Sequence, residues 1–259
     1  MLEPVIHATT VFTCRNEFDA MMTCIYDAWA ARLGHSNIRL MTEPVGDLEL
    51  FCTYRHIEAD RRKTQSVIRS ICRKISSHAY RMVYQAAMSD EEDKLDAIYR
   101  FLVIGFHYGS AVTGFLQEPP VMRLMELARK TSNEAHSHRE FIRFSNMEHN
   151  VLVGCIEPKC DVLTLIAPHF ADRMPSENWM IIDLRRMTAV VHPCDTEYYL
   201  TSLTPEETER LSKPPDDPFT DLWRIFFDSI TIKERKNPVC QRNLLPLWYR
   251  KHMPEFPVQ

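Results

Sequence analysis

Glu134, His136 and His138 alternate along EAHSHREFIRF, and His169 stands in a later polar cluster. A carboxylate beside an imidazole can do general acid–base work, because histidine titrates near neutrality. With a third ligand the same groups could hold a metal. Arg143 could steady an anionic group. His136 and His138 face one side only if their segment is extended, and Glu134 then shares that side. A plainer role competes with catalysis: hydrogen bonds tying a helix to a sheet. The chain contains no H-E-x-x-H, no zinc cysteine pair and no EF-hand loop, so no metal is expected. Cys155 and Cys160 form only a lone C-x4-C, and the three-cysteine signature of a radical-SAM cluster is missing. A nucleophilic serine elbow is missing too. No cofactor is expected.

The elements that must position these groups lie between 134 and 186. Apolar runs at 141–144, 151–156, 162–166 and 179–184 are bounded by Asn, Pro, Asp or Ser. That pattern predicts strands joined by tight turns. Residues 168–174 read as one helical turn opened by Pro168. Together they predict a small antiparallel meander with a short helix in one connection. Upstream, the pattern predicts a strand over 5–14, a helix over 17–33 and a strand over 48–54. Asn16 is the expected cap of that helix and Gly34 its stop. Its Met and aromatic stripe, ending at Trp29 and Leu33, reads as core. Helices are predicted over 63–75, 77–88, 91–108 and 120–130, and a strand over 187–192. Thr204-Pro205-Glu206-Glu207 reads as a capped short helix. Leu222, Trp223, Ile225, Phe226, Phe227 and Ile230 predict a helix that docks on the core. The fold class expected is α+β: an N-terminal strand–helix–strand unit, a helical middle, an antiparallel β meander and a C-terminal docked helix. One domain is expected over 1–259, with sub-units 1–60, 61–133 and 134–259.

The formal net charge of −4 argues against a uniformly basic coat but leaves room for a local basic face. Residues 61–81 carry seven cations and no acid. Arg62, Arg69 and Arg73, seven and four apart, fall on one helical face, with Lys74 beside them. Such an array contacts phosphates, and it also occurs as an ordinary solvated face. A second basic stretch holds Arg235, Lys236 and Arg242, with Trp248 and Tyr249 among further cations. Cations among aromatics suit a nucleic-acid backbone and a stacked base. The alternative there is aromatics packed inward. Six glycines make phosphate loops scarce. No signal peptide and no membrane-spanning run is read, so a cytoplasmic protein with eight reduced cysteines is expected.

Four stretches appear in order: FTCRNEFDAMMTCIYDAW, EAHSHREFIRF, IEPKCDVLTLIAPHFADRM with NWMIIDLRR, and DLWRIFFDSITIKERKNPVCQRNLLPLWYRKHMPEF. Together they resemble the bacterial family called probable DNA metabolism protein, a domain of unknown function. Nearly the whole chain is covered, least so in the helical middle. Where the family tends to a Tyr-Asp-Gly-like turn, this chain has Cys14-Arg15-Asn16. The resemblance implies a role in DNA repair or modification beside a radical-SAM protein, and related domains are fused to a uracil-DNA glycosylase-like domain. The expected function is therefore an accessory protein binding DNA, or a radical-SAM partner at DNA. Two alternatives stand beside it. One is a nucleobase- or nucleotide-processing enzyme using Glu134, His136 and His169. The other is a protein–protein adaptor without direct DNA contact.

Overall fold

The computed structural model describes residues 9–147, 150–213, 218–232, 234 and 237–256. The chain divides into two compact units, Met1–Ser132 and Asn133–Gln259.

The first unit opens on β1 (Thr9–Cys14), α1 (Phe18–Ala30), β2 (Ile38–Thr42) and β3 (Cys52–His56). All three strands run parallel, in the order β2-β1-β3, with α1 as the crossover between β1 and β2. The start of the expected 5–14 strand lies outside the described residues. Then come α2 (Arg61–Lys74), α3 (Ser77–Ala87) and α4 (Lys94–Tyr108). Met21, Met22 and Ile25 of α1 are buried, as are Val67 and Ile71 of α2 and Leu95, Ile98 and Leu102 of α4. Their spacing of three and four is the helical signature read in the sequence. Trp29 and Leu33 depart from that reading: both are over a third exposed.

The division into units falls within α5 (Pro119–Phe141). This helix corrects the expectation of a short helix followed by a strand at 141–144. No Gly or Pro interrupts residues 121–141. Leu127, Ala128, Thr131, Ala135 and His138 are all buried at helical spacing, so packing carries the helix through polar residues of weak propensity.

The second unit holds β4 (Phe144–Met147), β5 (Val151–Ile156), α6 (Leu163–Arg173), β6 (Asn178–Asp183), β7 (Thr188–His192) and β8 (Tyr199–Ser202). The sheet order follows the chain, and the pairs are antiparallel except β5 with β6. That parallel pair corrects the all-antiparallel meander. Its cause is α6, which replaces the strand expected at 162–166 and supplies the crossover a parallel pair requires. Leu163, Ile166, Ala167 and Phe170 bury one stripe of α6, and Pro168 lies inside it rather than at its start. A short, largely apolar run is ambiguous between strand and buried helix. Trp179, Ile181 and Val190 of the sheet close that core.

Beyond the sheet stand α7 (Pro205–Ser212), α8 (Pro218–Ile230) and α9 (Pro238–Leu244), then a 3-10 turn, Leu247–His252. Thr204 and Glu207 form the expected capping box of α7. Phe227 of α8 meets Phe256, and Trp223 lies 5.9 Å from the Arg143 guanidinium. Most of the apolar side chains of α8 remain exposed nonetheless, Leu222, Ile225, Phe226 and Ile230 among them.

Candidate functional site

The basic segment forms α2 and the start of α3. Asp60 caps α2 by accepting from the backbone N–H of Arg62 and Lys63. The helix is locked to α1 by the Thr64 hydroxyl, which donates to the Asp19 carbonyl at 2.9 Å. Lys63 also reaches both oxygens of Asp27 at 2.7 Å. With Thr64, Val67 and Ile71 facing inward, Arg62, Arg69 and Arg73 face solvent in one row. Arg61, Lys74 and Arg81 are exposed as well. Lys63 is neutralised by Asp27, and Arg69 donates to the Gln65 carbonyl. Among the described residues, Arg61, Arg62, Arg69, Arg73, Lys74 and Arg81 make no ion pair within 4 Å. Asp60, the cap of the helix, is the acid that acts on Arg62, and it does so without a direct ion pair.

The histidine cluster is arranged by α5. Residues two apart on a helix point in nearly opposite directions, so Glu134 and His136 diverge. Glu134 is buried, and its two oxygens accept the backbone N–H of Lys159 and Cys160 at 2.7 and 2.9 Å. His136 is exposed and pairs with Glu140 at 3.1 Å. His169 is exposed on α6, with its ring against Phe170. The structure does not bring these three together. Arg143 is also engaged: its Nε and Nη2 donate to Glu255, whose side chain is 2% exposed, at 3.0 and 2.7 Å. What Glu134 makes is a tie from α5 to the turn that follows β5.

The 157–160 turn is held from a second side. Arg186 donates to the carbonyls of Pro158 and Lys159, and Asp183 accepts from the Arg186 guanidinium at 2.8 Å. Asp183 is fully buried and also accepts the backbone N–H of Arg185 and Arg186. Burial raises the pKa of its carboxyl, and the Arg186 bonds oppose that. The Glu157 side chain turns away, to Lys251 at 2.5 Å and His252 at 3.1 Å.

His138, one turn beyond Glu134, lines a small cleft with Arg143, Cys155, Glu157, Tyr249 and His252. Its enclosed space is about 20 Å³, room for little more than a water. Tyr249 and Trp248 pack edge-on to the His138 ring, at 5.0 and 5.9 Å. These aromatics are largely turned inward, though Trp248 keeps 37% exposure. Arg242 is exposed and donates to the Pro238 carbonyl. Arg235 and Lys236 lie outside the described residues. His138 and His252 are the groups sequence reasoning undervalued. The signal was local for neither, because the cleft joins residues over a hundred positions apart.

Burial pushes His138 down to about 4, against the pull of Glu134, and His138 Nε2 has no hydrogen-bond partner among the described residues. Burial lowers His252 as well. The unfolded chain therefore takes up protons below about pH 6.5 that the folded unit refuses. Stability is expected to fall as pH drops from 6.5 towards 4, by up to about 1.4 kcal/mol per pH unit from one such group. Denaturation midpoints across that range, with His138→Phe flatter than wild type, check it. Equal slopes would refute it.

Residues 92–255 match the family described as Domain of unknown function (DUF4130). The chain belongs to this family. The matched stretch takes in α4, α5, the Glu134 and Arg186 clamp and the whole mixed sheet. It leaves α2 outside. Comparison with curated proteins finds none that matches the chain. Among the described residues, no group of three His, Cys, Asp or Glu side chains could hold a metal ion. No helix among them is long and apolar enough to cross a membrane.

Proposed function

We propose that this DUF4130 protein is an accessory factor of DNA repair or modification that holds DNA by its phosphates and works beside a radical-SAM partner. The observation that supports this most is the row of unpaired cations on α2. Exposed arginines without ion-pair partners among the described residues, in one row on a capped helix, suit the charge of a phosphate backbone. The link to DNA repair and to a radical-SAM protein comes from the sequence resemblance. A fluorescence anisotropy titration against single- and double-stranded DNA at two salt concentrations tests the reading. If all six unpaired cations meet phosphates, affinity falls roughly 10³-fold between 50 and 200 mM salt. A flat response to salt overturns it.

A second reading, an adaptor, has its own support. Leu222, Ile225, Phe226 and Ile230 expose the apolar face of α8, and an apolar patch of this kind marks an interaction site. Under this reading Phe226→Glu is expected to abolish capture of the radical-SAM protein in a pull-down without lowering the melting temperature. Charge reversal on α2 then leaves capture intact. Undiminished capture by Phe226→Glu would reject the adaptor surface.

A further inference from the structure

We infer that the groove between α1, α2 and α4 is a subsite for one unstacked nucleobase of a single-stranded nucleic acid. The inference rests on the phosphate-binding reading of α2. Tyr26, Trp29 and Phe106 supply aromatic walls, and Ser66, Ser70 and Lys74 line the side that α2 contributes. Its volume is about 300 Å³, at the lower end of the range that small-molecule sites occupy. Tyr26 is 40% exposed and Trp29 37%, although Ile25 and Ala28 beside them on α1 are buried. Phe106 meets Trp29 edge-on at 5.4 Å, which holds the indole in place. The Lys74 ammonium lies 5.6 Å from the centre of the Phe106 ring and makes no ion pair among the described residues.

Charge complementarity selects the occupant. At about 100° per residue, Ser66, Ser70 and Lys74 form one row on α2. Arg62, Arg69 and Arg73 form the row beside it. A base resting on Trp29 and Tyr26 would thus carry its phosphates to the arginines, while the serine hydroxyls and Lys74 face its polar edge. An apolar peptide side chain would fill the groove but leave the arginine row unused. Duplex DNA has its bases stacked and would reach only that row. Base-on-aromatic stacking is worth about 1–3 kcal/mol per base, or roughly five- to 150-fold in affinity.

The test titrates the full chain with a short oligothymidylate and with a duplex, at low salt. Trp29→Ala and Tyr26→Ala are each expected to weaken oligothymidylate binding about tenfold or more, with duplex affinity unchanged. Trp29→Phe is expected to stay near wild type. Tyr26, which is 40% exposed, keeps the test valid if Trp29→Ala fails to fold. If Tyr26→Ala and a folded Trp29→Ala bind oligothymidylate like wild type while Arg69→Glu with Arg73→Glu weakens it, the groove is not the subsite and the phosphate reading survives. If the wild type binds neither strand form, the phosphate reading fails and the groove inference fails with it.

Discussion

Charge reversal at Arg69 and Arg73 is expected to weaken duplex DNA binding on the order of a hundredfold near 0.1 M salt. Each phosphate contact releases about 0.9 of a condensed counterion, so each lost contact lowers affinity about eightfold at that salt. Two lost contacts account for roughly sixtyfold, and two new carboxylates facing phosphates add repulsion. The slope of log affinity against log salt should become shallower by about two. The fold should not suffer. Both residues are exposed, neither makes an ion pair among the described residues, and α2 is held by Asp60, Thr64, Val67 and Ile71. A matched pair at other exposed cations, Lys213 and Arg224, which already have acidic partners, provides the control. Equal affinity for the Arg69 and Arg73 variant and wild type would remove α2 from the DNA-binding surface.

Glu134→Gln is expected to destabilise the second unit by about 3 kcal/mol, a fall of roughly 10 °C in melting temperature. Both oxygens of Glu134 are committed, one to the Lys159 N–H and one to the Cys160 N–H. An amide keeps one acceptor and turns a donor towards the other N–H. That leaves two donors facing each other in a buried place, and an unsatisfied buried donor costs more than the bond it replaces. The turn's carbonyls at Pro158 and Lys159 are already engaged by Arg186. Chemical denaturation followed by the fluorescence of buried Trp179 measures the change. A midpoint equal to wild type would mean that Glu134 is not what anchors the turn. The two variants are separable, since α2 and Glu134 lie in different compact units.

Composition and spacing by themselves determined the α+β class, the strands that became β5, β6 and β7, the capping box of α7 and the arginine row of α2. Each of these rests on a local rule: alternation along a strand, a period of 3.6 along a helix, or a cap three residues from its partner. The run 162–166 lay beyond such rules, because four apolar residues around Thr164 satisfy strand and buried helix alike. Only the sheet, which needs a crossover between parallel β5 and β6, made it α6. The run of α5 through residues 131–141 was equally hidden, since burial of Thr131, Ala135 and His138 outweighs the weak helix propensity of Thr131, Ser132, Asn133, His136, Ser137 and His138. That one difference turned Glu134 and His136 away from each other. The chemistry suggested by their spacing became a backbone clamp on a turn 25 residues away. Trp29 is the converse case: its spacing matched a core stripe, but the space between α1, α2 and α4 left it lining an open groove. Local spacing sets which face a side chain occupies, and only the packing of distant segments decides what that face meets.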